Sequence, residues 1–238
     1  MTYVFLDFDG VLFNTLKEAY ILCRYAFCGT DYFEPVNENE YQKLYRFKFL
    51  VYNSWQYYYL MSLIKENLSD SELMSKYDKF MNNRNNKAEK MFDEKYYSAR
   101  SDLMQNYHEF WDKLETPFEF FEEIKNLYDS NKITPIIVSK KNKTAIEYRL
   151  KQYGLNIDNS DIFGKDELIK YDTKADFINN YMNKKNILSS FFVDDNSNNL
   201  IPCKKYPNIT PLLAGWGNIA INEKGLTESK IIDVLRNR

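Results

Sequence analysis

Tyr3-Val4-Phe5-Leu6-Asp7-Phe8-Asp9-Gly10-Val11 is the stretch on which the fold of this chain turns. Residues 3–8 are rich in aromatic and β-branched side chains, the composition of a strand buried on both faces of a parallel sheet. Side chains alternate along a strand, so Asp7 and Asp9 fall on one side of it. Two carboxylates at the end of a buried strand repel each other and lose hydration unless a cation or an ionic substrate compensates them. The carboxyl end of a central strand is also where open α/β sheets bind ligands. A solvated strand end is the plain alternative.

At 238 residues the chain has room for one large domain or two smaller ones. Thirty-two basic and 34 acidic residues leave a formal net charge of −2, so no whole-chain field draws it to nucleic acid or to an anionic membrane. Cys23, Cys28 and Cys203 are odd in number and match no common zinc spacing, which predicts reduced thiols in a cytosolic setting. The first apolar stretch carries no basic leader and is broken by Asp7, so neither a signal peptide nor a membrane span is predicted and a cytoplasmic location is expected. His108 is the single histidine, which excludes poly-histidine metal sites, and it lies in a helical stretch where an ordinary surface or core-edge role is expected. Neither the phosphate-binding loop Gly-x-x-x-x-Gly-Lys-Ser/Thr nor the dinucleotide fingerprint Gly-x-Gly-x-x-Gly occurs.

Residues 14–115 read as helical, with Pro35 the one proline among them. Gly29 is placed to stop a first helix, and Ser69-Asp70-Ser71-Glu72 has the spacing of a capping box that starts another. Phe92, Tyr96, Ala99, Leu103, Tyr107, Phe110 and Leu114 follow at steps of three and four, which predicts one continuous core stripe. Tyr45, Phe49, Tyr52, Trp55 and Tyr57 to Tyr59 offer rings for stacking on a ligand base, although helix packing is their simpler use.

From Thr116 the pattern changes. Thr116-Pro117-Phe118-Glu119 combines a capping box with proline at a first helical position and predicts a helix to about residue 130. A strand over Ile133–Val138, a helix over 142–153 closed by Gly154, a short strand near Ile162, a helix over 174–183 and strands over 188–193 and 210–213 come next. Alternating strands and helices imply a parallel sheet, and the opening strand must belong to it. The predicted fold is therefore α/β, with a Rossmann-like parallel-sheet core and helices on both faces. Residues 1–13 and 116–238 form that core, and residues 14–115 are an inserted α-helical cap domain.

Phe191-Phe192-Val193 ends in Asp194-Asp195, repeating the opening feature. If the two strands are neighbours, three or four carboxylates converge on one crevice, an arrangement that a hard cation makes tolerable, and Mg2+ is the expected ion. Ser139 ends a third strand with a hydroxyl, and Lys174 opens a helix that can bring an ammonium to the same rim. Carboxylates for a metal, with a hydroxyl and an ammonium for an anion, describe a phosphoryl site.

In order and spacing these elements resemble the haloacid dehalogenase superfamily of phosphohydrolases. The resemblance rests on Asp7-Phe8-Asp9-Gly10-Val11, on Ile136-Ile137-Val138-Ser139, on Lys174 about eleven residues after Phe163-Gly164, with Lys165 a poorer match, and on Val193-Asp194-Asp195-Asn196. It implies that Asp7 is the nucleophile, that Asp9 is the general acid and base, and that Ser139 and Lys174 hold phosphoryl oxygens. It also implies Mg2+ held by Asp7, Asp195 and the backbone carbonyl of Asp9. The common fourth motif has Gly before its metal-binding aspartate and an acid four residues on, where this chain has Asp194 and Asn199. That leaves two arrangements for Asp194, direct contact with the metal or contact through water.

The helical insertion lies where family members carry a cap that closes over the site. Arg24, Arg46, Lys48 and Arg100 are cations in it that can contact a base and its phosphates. The second acid, Asp9, argues for phosphate esters over the dehalogenase and phosphonatase branches of the family. The expected function is a magnesium-dependent phosphomonoesterase acting on a small phosphorylated metabolite, nucleotides included. A nucleic-acid end phosphatase would need a basic track that the neutral charge does not suggest, and a non-catalytic binding or regulatory protein would not need all four motif positions filled.

Overall fold

A computed structural model describes residues 2–66 and 68–237. The chain opens with β1 (Thr2–Leu6) and β2 (Phe13–Asn14). Helices α1 (Leu16–Cys28), α2 (Glu38–Phe47), α3 (Gln56–Ile64), α4 (Asp70–Asn82), α5 (Asn86–Asn106) and α6 (His108–Asp112) follow. Then come β3 (Thr116–Pro117), α7 (Glu119–Asp129), β4 (Ile133–Val138), α8 (Lys143–Gln152), β5 (Ile162–Phe163), α9 (Lys165–Leu168) and α10 (Lys174–Lys185). The chain finishes with β6 (Ser190–Asp194), α11 (Ser197–Leu200), β7 (Ile209–Leu213) and α12 (Glu228–Arg236). Its contacts divide it into two units, residues 1–14 with 116–238, and residues 15–115.

In the first unit the sheet runs β5-β4-β1-β6-β7 with every neighbour parallel. The chain moves outward from β1 through β4 to β5, then returns to lay β6 and β7 on the opposite side. That reversal makes β1 the topological switch point, with a crevice beyond its carboxyl end. Both faces are covered, which is why the strands are apolar at nearly every position. Val4, Leu6, Ile137, Phe191 and Val193 join residues of α7, α8 and α12 in one core, while Phe5, Ile136, Val138 and Phe192 join α10 in the other. Pro135 is accommodated inside β4 because β5 pairs only with Ile137 and Val138, so no ladder bond is lost on that side.

Expectations for this unit change at several points. The opening strand expected over residues 3–8 ends at Leu6, so Asp7 and Asp9 lie beyond it and turn to different lysines, Lys174 and Lys141, instead of alternating onto one side of a strand. The helix expected from residue 117 begins at Glu119, because Thr116 and Pro117 form an antiparallel pair with Asn14 and Phe13. Local capping spacing is overridden there by a partner a hundred residues away. The strand expected from 188 begins at Ser190 and continues through Asp194, and Leu188 is 90% exposed. Helix α12, which has no counterpart in the sequence expectations, buries Ile231, Ile232 and Leu235.

In the second unit α1 stops at Gly29, whose φ of 72° is a left-handed conformation that glycine adopts without strain. Ser69 and Glu72 form the expected capping box at α4. Phe92, Tyr96, Ala99 and Leu103 are buried as expected, but the stripe breaks at Tyr107. Tyr107 caps α5 with φ −135° and is 41% exposed, and α6 restarts in a new register that buries Trp111. A periodicity of threes and fours does not register a single non-helical residue. The tyrosines pack: Tyr57 stacks on Tyr96 and Tyr59 on Phe80.

Cations expected to face phosphates are committed elsewhere. Arg24 pairs with Glu34 at 2.7 Å and Arg46 pairs with Asp70. Arg100 lies in the interior, donating to Glu18 from Nε at 2.8 Å and from Nη2 at 2.7 Å, while Trp111 Nε1 donates to the same carboxylate at 2.8 Å. A buried carboxylate needs such partners, so Glu18 explains Arg100 without a ligand, whereas the Arg24 and Arg46 pairs lie at the surface. No helix among the described residues is long and apolar enough to cross a membrane.

Candidate active site

Strand register brings the acids together. Leu6 is level with Val193 across β1 and β6, so the next residues, Asp7 and Asp194, come level as well. Asp7 N donates to Val193 O at 3.0 Å and closes that corner. Carboxylate oxygens of Asp7, Asp194 and Asp195 lie within 4.8 Å of one another, and all three side chains are buried.

Lys174 answers part of this charge. It is the first residue of α10, whose start is fixed by Thr173 Oγ1 accepting from Asp176 N at 3.1 Å. Its Nζ lies 2.8 Å from both Asp7 Oδ2 and Asp194 Oδ2. Burial and the positive end of the helix both oppose an ammonium here. Asp194 and Asp7 outweigh them and hold Lys174 above the ordinary lysine range. Asp7 is pushed up to about 6, chiefly by burial, with Lys174 pulling it down and Asp194 raising it again. A divalent cation beside Asp7 would favour its ionised form.

Each remaining acid is oriented by donors. Asp194 Oδ1 accepts from Asn196 N at 2.9 Å and from Asn199 Nδ2 at 3.0 Å, so Asn199 serves here as a hydrogen-bond donor to Asp194. Asp195 Oδ2 accepts from both the backbone N and Nδ2 of Asn218 at 2.7 Å. The loops carrying these groups approach closely: Gly10 has φ +84° and a Cβ there would fall on Asp195 Oδ2, while a Cβ on Gly217 would meet Gly10 O and Asp195 Cβ. Gly10→Ala is therefore expected to lower stability by about 1–2 kcal/mol from backbone conformation alone, with displacement of Asp195 in addition. Chemical denaturation with circular dichroism measures this, and an unchanged midpoint would contradict the steric reading.

Ser139 follows β4, one strand over from β1, and is 2% exposed. Its N donates to Phe163 O at 3.0 Å, and Lys141 N donates to its Oγ at 3.4 Å. The Asp9 carboxylate is turned toward Lys141, whose Nζ donates to Asp9 Oδ1 at 3.2 Å. Lys141, Asn199 and Asn218 are not among the sequence candidates. Lys140-Lys141 directly after the strand-ending Ser139 is a usable signal for the first, whereas nothing distinguishes the two asparagines from the many others.

The donor set fits a hard divalent ion. Metal–oxygen distances of about 2.1 Å place opposite ligands of an octahedral Mg2+ site about 4.2 Å apart, within the spread of these three carboxylates.

A parallel sheet with its switch point at β1, a helical insertion after that strand and acids at two adjacent strand ends define the haloacid dehalogenase-like class of α/β folds. The solved structures agree over nearly the whole chain. A predicted phosphoglycolate phosphatase from Haemophilus somnus matches with a TM-score of 0.62 at 14% identity, covering 98% of this chain and 97% of that one. A haloacid dehalogenase-like family hydrolase from Streptococcus pneumoniae matches at 0.58 and 13%, covering 98% of each. A HAD-superfamily hydrolase of subfamily IA, variant 1, from Geobacter sulfurreducens matches at 0.55 and 13%, covering 99% and 96%. No family model matches the sequence, and no curated protein is similar to it. At these identities the likeness is one of fold, and the chain has the haloacid dehalogenase-like fold.

Proposed function

We propose that the protein is a magnesium-dependent phosphomonoesterase that hydrolyses a small phosphorylated metabolite, nucleotides among the candidates, through an aspartyl-phosphate on Asp7. The observation that carries this reading is Asp7 itself: a buried carboxylate at the switch point, 2.8 Å from the Lys174 ammonium and beside two more buried acids. A structural ion pair has no need of a third buried acid beside a lysine already paired with two, whereas clustered carboxylates next to an ammonium suit metal-assisted phosphoryl transfer.

Asp7 attacks phosphorus as the ester P–O bond breaks, and a second displacement by water releases phosphate. Asp9 gives a proton to the leaving oxygen and then takes one from that water. Lys174 and Ser139 hold phosphoryl oxygens. Asp7, Asp195 and the backbone carbonyl of Asp9 would hold Mg2+, with Asp194 at its side. When bound, the ion supplies positive charge that screens carboxylate from phosphate and offsets charge developing on the phosphoryl oxygens.

The three donors on Asp194 favour a role in fixing Lys174. Because one protein of similar fold is named a predicted phosphoglycolate phosphatase, small carboxylated phosphate esters belong beside nucleotides in a substrate screen. Purified protein is expected to turn over 4-nitrophenyl phosphate with Mg2+, to stop in EDTA and to recover with excess Mg2+. Undiminished turnover in EDTA would remove the metal from the reading, and inactivity on the whole panel would remove the reading.

A further inference from the structure

We infer that Lys141 is a positioning residue for Asp9, aiming its carboxyl group. This rests on the phosphatase reading above. The Lys141 side chain is 0% exposed, although the residue sits in a loop rather than in the sheet or a long helix. Burying an ammonium is costly, and packing alone would be met as well by methionine. The loop grips Lys141 by its backbone: its N donates to Ser139 Oγ, and its O accepts from Lys165 N at 3.1 Å. Its Nζ lies 5.6 Å from the centroid of the Phe8 ring and 3.2 Å from Asp9 Oδ1. Residues 132 positions apart are thus brought together by the adjacency of β1 and β4.

This contact separates the roles of two nearby acids. Asp7 faces Lys174 and the acidic cluster, whereas Asp9 faces Lys141. With Oδ1 held by Lys141, the direction of the Asp9 carboxyl group is fixed for the proton transfer proposed above. As the Asp7–phosphorus bond forms and the ester P–O bond breaks, the carboxyl proton passes to the leaving oxygen, and the charge left on Asp9 faces the Lys141 ammonium. A proton from the attacking water returns to the same carboxylate in the second displacement. Lys141 therefore matters most for leaving groups that cannot depart without a proton.

The test compares an alkyl ester, glycerol phosphate, with an aryl ester, 4-nitrophenyl phosphate, whose leaving group departs without a proton. Lys141→Met is expected to lower kcat on the alkyl ester about 100-fold, the scale of lost general-acid assistance, and far less on the aryl ester. Lys141→Arg is expected to recover most of the loss and Lys141→Gln little of it, and Asp9→Asn should show the same dependence on leaving group. If Lys141→Met does not fold, the Gln and Arg variants carry the comparison. Equal losses on both esters, or none, would overturn the inference. A crystal structure of the Met or Gln variant gives a readout independent of turnover: the Asp9 carboxyl is expected to rotate from its wild-type position, and an unmoved carboxyl overturns the inference. A wild-type protein inactive on these esters and on the whole substrate panel removes the phosphatase reading instead, while the structural comparison still decides whether Lys141 positions Asp9.

Discussion

Asp7→Asn is expected to reduce phosphate-ester turnover by about 10⁴-fold or more while leaving the fold intact, the scale seen when a nucleophile is removed from a preorganised site. Asparagine has the shape of the aspartate and can keep the hydrogen bond that Phe8 N donates to Oδ1 at 2.7 Å. The charge it removes is one the protein holds at a cost. Asp7 sits at about 6 because burial and Asp194 disfavour its ionised form more than Lys174 supports it. Lys174 retains Asp194 in the variant, so thermal stability is expected to stay level or rise. Acid-quenched single-turnover experiments with a labelled substrate check the chemistry, since phosphate should remain on wild-type protein and not on the variant. Turnover near the wild-type rate would remove Asp7 as nucleophile.

Arg100→Met should destabilise the helical unit by about 3–5 kcal/mol, the range for breaking one side of a buried ion pair. Glu18 is 0% exposed and Arg100 5%, with two charge-assisted bonds running between them. Methionine preserves much of the packing volume and removes the counter-charge from a carboxylate that water cannot reach. A double variant, Arg100→Met with Glu18→Gln, is expected to recover part of the loss, because the uncompensated charge disappears along with its partner. Urea unfolding followed by circular dichroism measures both. A loss below about 1 kcal/mol for the single variant would place this pair with ordinary surface ion pairs.

The acids, the serine and the lysine named from the sequence occupy strand ends or a helix start around one end of the sheet because their signals are local. An apolar run that stops at an acid reports both a buried strand and its carboxyl end, and it does so twice, at Asp7 and at Asp194. Thr173 followed by Asp176 marks where α10 begins and so where Lys174 must sit. The aromatic content of the helical unit is equally readable as packing, and Tyr57 on Tyr96 uses it that way.

Other features depend on partners that spacing along the chain does not reveal. Thr116-Pro117 carries a helix-start signal, yet pairing with Phe13 and Asn14 makes it a strand. Arg100 reads as a cation available to phosphate until Glu18, 82 residues away, takes it into the core. Asn218 on Asp195 and Lys141 on Asp9 follow only from the order in which the strands are laid beside β1. By itself the sequence determined which segments are buried, where they stop and which chemical groups stand at the stops. The tertiary structure decided which of those groups meet, because burial is a property of one segment whereas charge pairing across a sheet depends on strand order and on loops that close over long separations.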